Sequence, residues 1–141
     1  MRYFICNLDT INVGIPAEQT ERIISDSRLQ TIVYETGCQS SGAEGAFISL
    51  PALFRQENTA VFHGLVLKSI RPLTNGRSHV KTILLMPKID IDIEIPEDAI
   101  CRLPEAFVGV FSFFTGACFN EGGQNLIFIL NPQKLMEVYH D

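Results

Sequence analysis

The sequence predicts an all-β protein that folds as a barrel or a sandwich. About ten short apolar segments, separated by turn residues, occupy the chain, which is typical of such folds. The central segment, Val80–Pro96, alternates isoleucines with acidic residues from Ile89 to Ile95, as a strand with one buried face does. Its first part, Ile83–Met86, is apolar throughout. We therefore expect one long strand that begins between two packed sheets and runs out to an edge.

The length indicates one domain, residues 1–141, or two small subdomains that share a core. Hydrophobic residues make up 46% of the chain, which is ample for a packed interior. A net charge of −5 without a basic run disfavours duplex nucleic acid and anionic membranes as partners. Neither an export signal nor a stretch of about 18 apolar residues is present, so we expect a cytoplasmic protein without direct membrane insertion.

The first third of the chain is predicted to contain a hairpin and one further strand. Arg2–Leu8 and Ile11–Ile15 alternate as the two arms of the hairpin. Pro16–Ile24, with proline first and acids early, predicts one or two helical turns. Leu29–Glu35 is predicted to be a strand, and the Gly- and Ser-rich segment Gly37–Gly45 a flexible loop.

The middle of the chain is predicted to supply the neighbours of the central strand. Ala46–Leu50 is expected to be a strand that leads into a short helical turn. Thr59–Ile70 is the strongest strand candidate, and Asn75-Gly76 is the dipeptide best suited to a hairpin turn. This turn would pair Ala60–Ser69 antiparallel with Val80–Ile95.

The last third is predicted to contain strands and a closing helical turn. Phe107–Phe114 and Gly116–Phe119 are apolar strand pieces, and Leu126–Leu130 is apolar at every position, as in a fully buried strand. Asn131 is placed to cap the helical turn Gln133–Tyr139.

Two segments of the chain are similar to each other. Thr36–Pro51 and Thr115–Pro132 both begin with a Thr-Gly step close to a cysteine and continue through a glycine-rich loop. Both end in an apolar strand and a turn that starts with proline. Two similar β subdomains would produce this pattern.

The sequence contains no catalytic, cofactor-binding or metal-binding motif. The four cysteines are far apart and form no Cys-x-x-Cys pair, so buried free thiols are expected. Three alternating acids could bind Ca²⁺ or Mg²⁺, but such acids more often keep an exposed strand edge soluble. We predict no cofactor and no metal. The cysteines are Cys6, Cys38, Cys101 and Cys118, and the acids are Asp90, Asp92 and Glu94.

An enzyme that uses a cysteine is one alternative. Cys118 or Cys38 could be a nucleophile with His63 as its base, because a thiolate needs a nearby proton acceptor. Nothing in the sequence brings these residues together, and a histidine in the middle of a strand is expected to be structural. We therefore predict no enzymatic activity and no catalytic residue.

The phenylalanines indicate another kind of site. The chain has 10 of them and no tryptophan, and several lie between Phe107 and Phe119. Most must belong to the core. One or two exposed phenylalanines would anchor a protein partner, because a contiguous apolar patch usually marks an interface.

Three stretches share hydrophobic patterns with one known family. Tyr3–Ile24 contains a hairpin that ends in Ile-Pro, Phe47–Phe54 reads FISLPALF, and Gly116–Met136 holds an apolar strand followed by a helical turn. These stretches are similar to the opening hairpin, the VIDLRRLF strand and turn, and the closing strand and turn of the CheW-like domain. This domain occurs in bacterial chemotaxis coupling proteins, and the resemblance covers nearly the whole chain.

The resemblance implies two SH3-like, five-stranded β barrels with short helical turns, packed through a shared apolar interface. It also implies a non-enzymatic adaptor or scaffold in chemotaxis-type signal transduction. Such a protein bridges the regulatory domain of a histidine kinase and the cytoplasmic tip of a chemoreceptor. Strand edges and apolar grooves would make the contacts. The positions that match the family's first-barrel binding region are Ile32, Tyr34, Phe47 and Leu50.

The chain departs from the family in the segment before Phe47. Cys38–Ala46 stands where the family carries Gly-Val-Ile-Asn-Leu-Arg-Gly, and it contains no arginine; Ser49 stands where the family usually has aspartate. A standard partner and an altered one both stay open. The alternative function is a stand-alone regulatory β module that binds a small ligand or another signalling partner in the inter-barrel cleft. A polar-lined pocket would favour this alternative, and a filled cleft would count against it.

Overall fold

A computed structural model of the chain describes residues 1–8, 11–31, 39–42, 45–56, 60–68, 81–103, 112–119 and 126–139. Within these ranges the protein is mostly strand, with two short α-helices and 3₁₀ turns at Ala17–Gln19, Ser27–Thr31 and Glu97–Ala99. The helices are α1 (Leu50–Leu53) and α2 (Pro132–Tyr139). The strands are β1 (Arg2–Leu8), β2 (Ile11–Pro16), β3 (Thr20–Ser25), β4 (Gln39–Gly42), β5 (Gly45–Ser49), β6 (His63–Leu67), β7 (Thr82–Met86), β8 (Asp90–Glu94), β9 (Cys101–Arg102), β10 (Phe114–Phe119) and β11 (Leu126–Leu130).

The strands form two sheets, and the chain passes from one sheet to the other and back. Sheet A has six strands in the order β8-β1-β2-β11-β10-β9, and sheet B has five in the order β3-β6-β7-β5-β4. All strands of sheet B therefore lie between β2 and β8 in the sequence. The predicted all-β class, with two sheets and few short helices, is confirmed. Sheet A has one strand more than the five expected for each barrel.

The central segment forms two strands, and the prediction of one long strand is wrong. β7 is buried inside sheet B, whereas β8 is an edge strand of sheet A and pairs with β1. Pro87 lies between them and has no N–H to donate to a strand ladder, so pairing stops there. The buried half and the edge half each have the environment that the sequence predicts, but in different sheets.

Two further elements differ from the prediction. The segment after Pro16 has only the turn Ala17–Gln19 as helix, and it continues as β3, where three β-branched side chains favour the extended backbone. Leu29–Thr31 belongs to a 3₁₀ turn rather than a strand. Asp26 stabilises this turn, because its carboxylate accepts hydrogen bonds from the backbone N–H of Arg28 at 2.9 Å and from the Arg28 guanidinium at 2.8 Å.

The segment Gly37–Gly45, predicted to be a flexible loop, contains β4 and the first residue of β5. β4 pairs antiparallel with β5, with Gln39 opposite Ile48 at one end and Gly42 opposite Gly45 at the other. Its sequence, Gln-Ser-Ser-Gly, has low strand propensity, so the partner strand supplies the order.

The pairing predicted from the Asn75-Gly76 turn is present, although the turn itself lies outside the described residues. β6 is shorter than predicted and pairs antiparallel with β7. His63 lies opposite Met86 at one end, and Leu67 lies opposite Thr82 at the other. Predicted elements at 32–35, 107–111 and 120–125 also lie outside the described residues.

Alternating side chains divide the interior into three apolar clusters. The first, which we call the inter-sheet core, joins residues of both sheets; the other two lie on the opposite faces of sheet A and sheet B. β7 contributes Leu84 and Met86 to the inter-sheet core and Ile83 and Leu85 to the sheet B cluster. Both faces of this strand are therefore covered, which explains why all of its inner residues are apolar.

The two similar segments of the sequence correspond to two equivalent hairpins. β4–β5 and β10–β11 are both antiparallel, and the second strand of each also pairs in parallel with another strand, β7 or β2. A capped helix with an early proline follows each hairpin. Ser49 Oγ accepts a hydrogen bond from the Ala52 N–H at 3.2 Å, and Asn131 Oδ1 accepts one from the Gln133 N–H at 3.1 Å. The predicted Asn131 cap is confirmed.

Gly116 should tolerate no side chain. It lies where β9 pairs antiparallel with β10, and a Cβ there would lie 2.6 Å from the Cys101 carbonyl oxygen and 2.7 Å from Ile100 Cγ2. We expect Gly116→Ala to lower the free energy of unfolding by about 1–3 kcal/mol, since a backbone atom cannot rotate away. Urea denaturation followed by circular dichroism measures this loss.

Gly14→Ala is the matched control. A Cβ at Gly14 would lie 3.0 Å from Ile129 Cδ1, which is the end of a flexible side chain. We expect a clearly smaller loss there. Equal losses in the two variants would contradict the assignment of the Gly116 contact to backbone crowding.

The cysteines should differ sharply in reactivity. Cys6 is 0% exposed in the inter-sheet core, and burial raises the pKa of its thiol to about 12. Burial also raises the pKa of Cys118, with a smaller contribution from nearby Cys101, which is itself exposed. Because the thiolate is the reactive form, iodoacetamide should label Cys101 in the native protein, and Cys6 and Cys118 only after unfolding. Peptide mass spectrometry would show this, and native labelling of Cys6 at the Cys101 rate would contradict it.

Candidate protein-interaction site

The positions predicted to contact a partner lie partly inside the protein. Phe47, on β5, is 9% exposed in the sheet B cluster, and Leu50, the first residue of α1, is 0% exposed in the inter-sheet core. Ile32 and Tyr34 lie outside the described residues. The binding region stays a prediction, and the structure shows only that the side chains of Phe47 and Leu50 are buried.

The most exposed large apolar side chain in the described part of the chain is Phe119, at 66% exposure. It ends β10 and lies directly opposite Leu126, which begins β11 and is 38% exposed. Residues opposite each other in an antiparallel pair project from the same face of the sheet. Phe119 and Leu126 therefore form one apolar pair at the open end of this hairpin.

This pair continues the inter-sheet core outward. Leu126 alternates onto the same face of β11 as Leu130, which belongs to the inter-sheet core, and Phe128, which packs against it. Ile11, on the neighbouring strand β2, is half-buried. It lies beside Leu126, because Asn12 pairs in parallel with Ile127 at the next position of each strand. We call Ile11, Leu126 and Phe119 the apolar strip. Its side chains become more exposed across the three strands, from Ile11 on β2 through Leu126 on β11 to Phe119 on β10.

An aromatic cluster forms the base of the apolar strip. The ring of Phe114 lies 5.8 Å from that of Phe54 and 5.7 Å from that of Phe128, measured between centroids, with tilted planes. Such tilted contacts are favourable aromatic arrangements. Phe54 follows α1 and the other two rings belong to sheet A, so the cluster links the two halves of the protein beneath the strip.

One edge of the apolar strip is open. β9 pairs with β10 only at Gly116 and Ala117, so among the described strands none pairs with Cys118 and Phe119 on that side. Sequence reasoning anticipated an exposed phenylalanine in this region but not which one. The sequence does show an apolar residue on each side of the polar segment 120–125, namely Phe119 and Leu126. That these two residues lie opposite each other could be known only from the register of the hairpin.

No described arrangement of residues favours the cysteine enzyme. His63 Nδ1 lies 2.7 Å from Ser25 Oγ, and this exposed hydrogen bond links β6 to the edge strand β3. Cys118 lies in the cluster of sheet A, whereas His63 belongs to sheet B, and Cys38 is outside the described residues. In the ranges that the structure describes, no three His, Cys, Asp or Glu side chains are grouped to hold a metal ion.

In the described part of the chain, apolar side chains of both sheets pack against each other between the sheets. Side chains from both sheets, including Val13 and Ile15 of sheet A and Leu65 and Leu84 of sheet B, are 0% exposed in the inter-sheet core. This apolar filling counts against a small-ligand cleft between the two halves. Within the described part of the chain, no helix is long and apolar enough to span a bilayer.

Comparison with known proteins supports the fold. No protein-family model matches the sequence, and no curated protein matches it. Among solved structures, the chain is similar to the scaffolding protein TtCheW from Thermoanaerobacter tengcongensis. The TM-score is 0.64 over 92% of this chain and 87% of that one, at 13% sequence identity. At this identity the comparison shows the fold alone, and the chain therefore has a CheW-like fold.

Proposed function

We propose that this protein is a non-enzymatic adaptor, or scaffold, that holds other proteins together by docking. The observation that carries the proposal is the exposed apolar strip on a CheW-like fold, because apolar surface continuous with a core usually marks a protein interface. The neighbour of known structure is itself described as a scaffolding protein.

The partners that fit this proposal are cytoplasmic signalling proteins of the chemotaxis type. One is the cytoplasmic tip of a chemoreceptor, and the other is the regulatory domain of a histidine kinase. An adaptor that binds both raises the local concentration of each near the other, and this alone strengthens their coupling without a chemical step.

The apolar strip would act as the anchor for one of these partners. Phe119 has most of its side chain in water, so its burial in a partner's pocket would contribute roughly 1.5–3 kcal/mol. Its aromatic base holds the strip in place before binding, which reduces the entropy lost on association.

The region of Ile32 and Tyr34 is the proposed contact for the second partner. In sequence these residues follow the turn Ser27–Thr31, which leads out of sheet B, whereas the apolar strip belongs to sheet A. Two contact regions that are far apart in the sequence would suit a bridging role. Phe47 and Leu50 would contribute by supporting the backbone from within.

The apolar strip can be tested by direct binding measurements. Isothermal titration calorimetry would use the purified receptor tip and kinase regulatory domain from the same organism. We expect wild type to bind at least one of them, and Phe119→Ser to weaken that binding by about tenfold or more, the loss typical of an aromatic anchor. Leu126→Ser should weaken the same interaction less, because its side chain is less exposed.

Phe62→Ser is the matched control. Phe62 is also an exposed phenylalanine, at 40%, but it precedes β6 of sheet B, so its replacement should leave the affinity unchanged. Equal weakening by Phe62→Ser would show that the strip is not the specific anchor. If folded wild type binds neither partner, the adaptor proposal fails.

A further inference from the structure

The turn that ends α1 holds an arginine in a strained backbone conformation. Arg55 has a φ of 63°, in the left-handed region. Two hydrogen bonds close this turn: the Arg55 N–H donates to the Ala52 carbonyl oxygen at 2.9 Å, and the Gln56 N–H donates to that of Pro51 at 2.8 Å. Many helices end in this pattern, and its left-handed residue is usually glycine, because a Cβ there lies too close to the following carbonyl oxygen.

The Arg55 side chain has no partner within the described residues. It is exposed, and its guanidinium forms no hydrogen bond or ion pair with the part of the chain that the structure describes. Arg28, by contrast, pairs with Asp26, and Lys81 pairs with Glu21. Residues held in strained backbone conformations cluster at functional sites. The strain at Arg55 therefore directs attention to a contact that its side chain makes outside the chain.

Arg55 lies next to the base of the apolar strip. It directly follows Phe54, whose ring lies 5.8 Å from that of Phe114, and Phe114 lies 5.7 Å from Phe128. Phe128 is on the face of β11 that carries the strip. Phe114 begins β10 and Phe119 ends it, so the positive charge flanks this apolar surface at the end away from Phe119.

We propose that Arg55 determines specificity at the partner-binding surface, and that the partner carries a carboxylate next to the apolar group that it places on the apolar strip. The inference rests on the adaptor proposal and adds the chemistry of the partner. A guanidinium is always charged, and its planar array of donors matches a carboxylate in a bidentate pair. An apolar centre with a polar rim is the usual arrangement of a protein interface. A partner segment with a base in place of the acid would be repelled.

Arg55→Gly tests the inference because it should change stability and binding in opposite directions. Glycine adopts the left-handed conformation without strain, so we expect the melting temperature of the free protein to rise by about 2–4 °C. Isothermal titration calorimetry would use the receptor tip or kinase regulatory domain whose binding Phe119→Ser weakens. The affinity for it should fall about threefold to tenfold, as when a charge at the rim of an interface is removed.

Charge variants identify the contact as electrostatic. Arg55→Lys keeps the charge and should bind more tightly than Arg55→Gly, whereas Arg55→Glu should bind most weakly of the three. Salt should weaken the binding of wild type more than that of Arg55→Gly, because it screens the ion pair. Arg22→Glu is the control; it makes the same charge change at an exposed arginine of β3, in sheet B, and should leave the affinity unchanged.

The possible results separate this inference from the adaptor proposal. If wild type binds neither partner, or binds one that Phe119→Ser leaves unaffected, the apolar strip is not the anchor and both proposals fail. If Phe119→Ser weakens binding but Arg55→Gly binds as tightly as wild type, only the inference is overturned. Equal weakening by Arg22→Glu would overturn it too. So would a lower melting temperature for Arg55→Gly, since Arg55 would then stabilise the chain itself.

Discussion

The inter-sheet core is the constraint on which the rest of this structure depends. It is formed by side chains from one face of each sheet. Several of these side chains are only 0–2% exposed, among them Leu8, Ile15, Leu67 and Leu84. Burying one such side chain contributes about 1.5–3 kcal/mol, and neither sheet can bury this face without the other. The chain crosses between the sheets on either side of β3–β7, so both halves are tied to one core by covalent connections as well as by packing.

The described side chains of the inter-sheet core are buried and apolar, so the described surfaces that could bind a partner lie outside it. The apolar strip extends the core to solvent at the end of β10–β11, where Phe119 and Leu126 stay exposed. β3 and β8, which lie at sheet edges among the described strands, offer backbone groups and charge instead. These surfaces favour different partners: an apolar strip accepts a side chain or a helix, whereas a strand edge accepts another strand. A protein without a catalytic arrangement among its described residues can thus present more than one kind of contact.

Elements decided by local chemistry could be predicted from the sequence, and elements decided by distant partners could not. β1 matches its predicted bounds because alternation defines it, and Asn131 caps α2 through its own side chain. The break at Pro87 was missed because strand-like apolar residues occur on both sides of it, and only sheet membership shows that the two strands diverge. β4 is polar and takes its order from β5. The apolar strip needed a cross-strand register, and the burial of Phe47 and Leu50 needed the packing of both sheets.

The positions of these surfaces allow them to act together. In sheet A, three strands, β1, β2 and β11, separate the β8 edge from β10, which carries Phe119. A strand added at β8 therefore leaves the apolar strip uncovered, and a partner on the strip leaves β8 free. Two partners bound at these two surfaces would be brought close together, at an effective concentration set by the distance between the surfaces. Both would be held in this way without any enlargement of either interface.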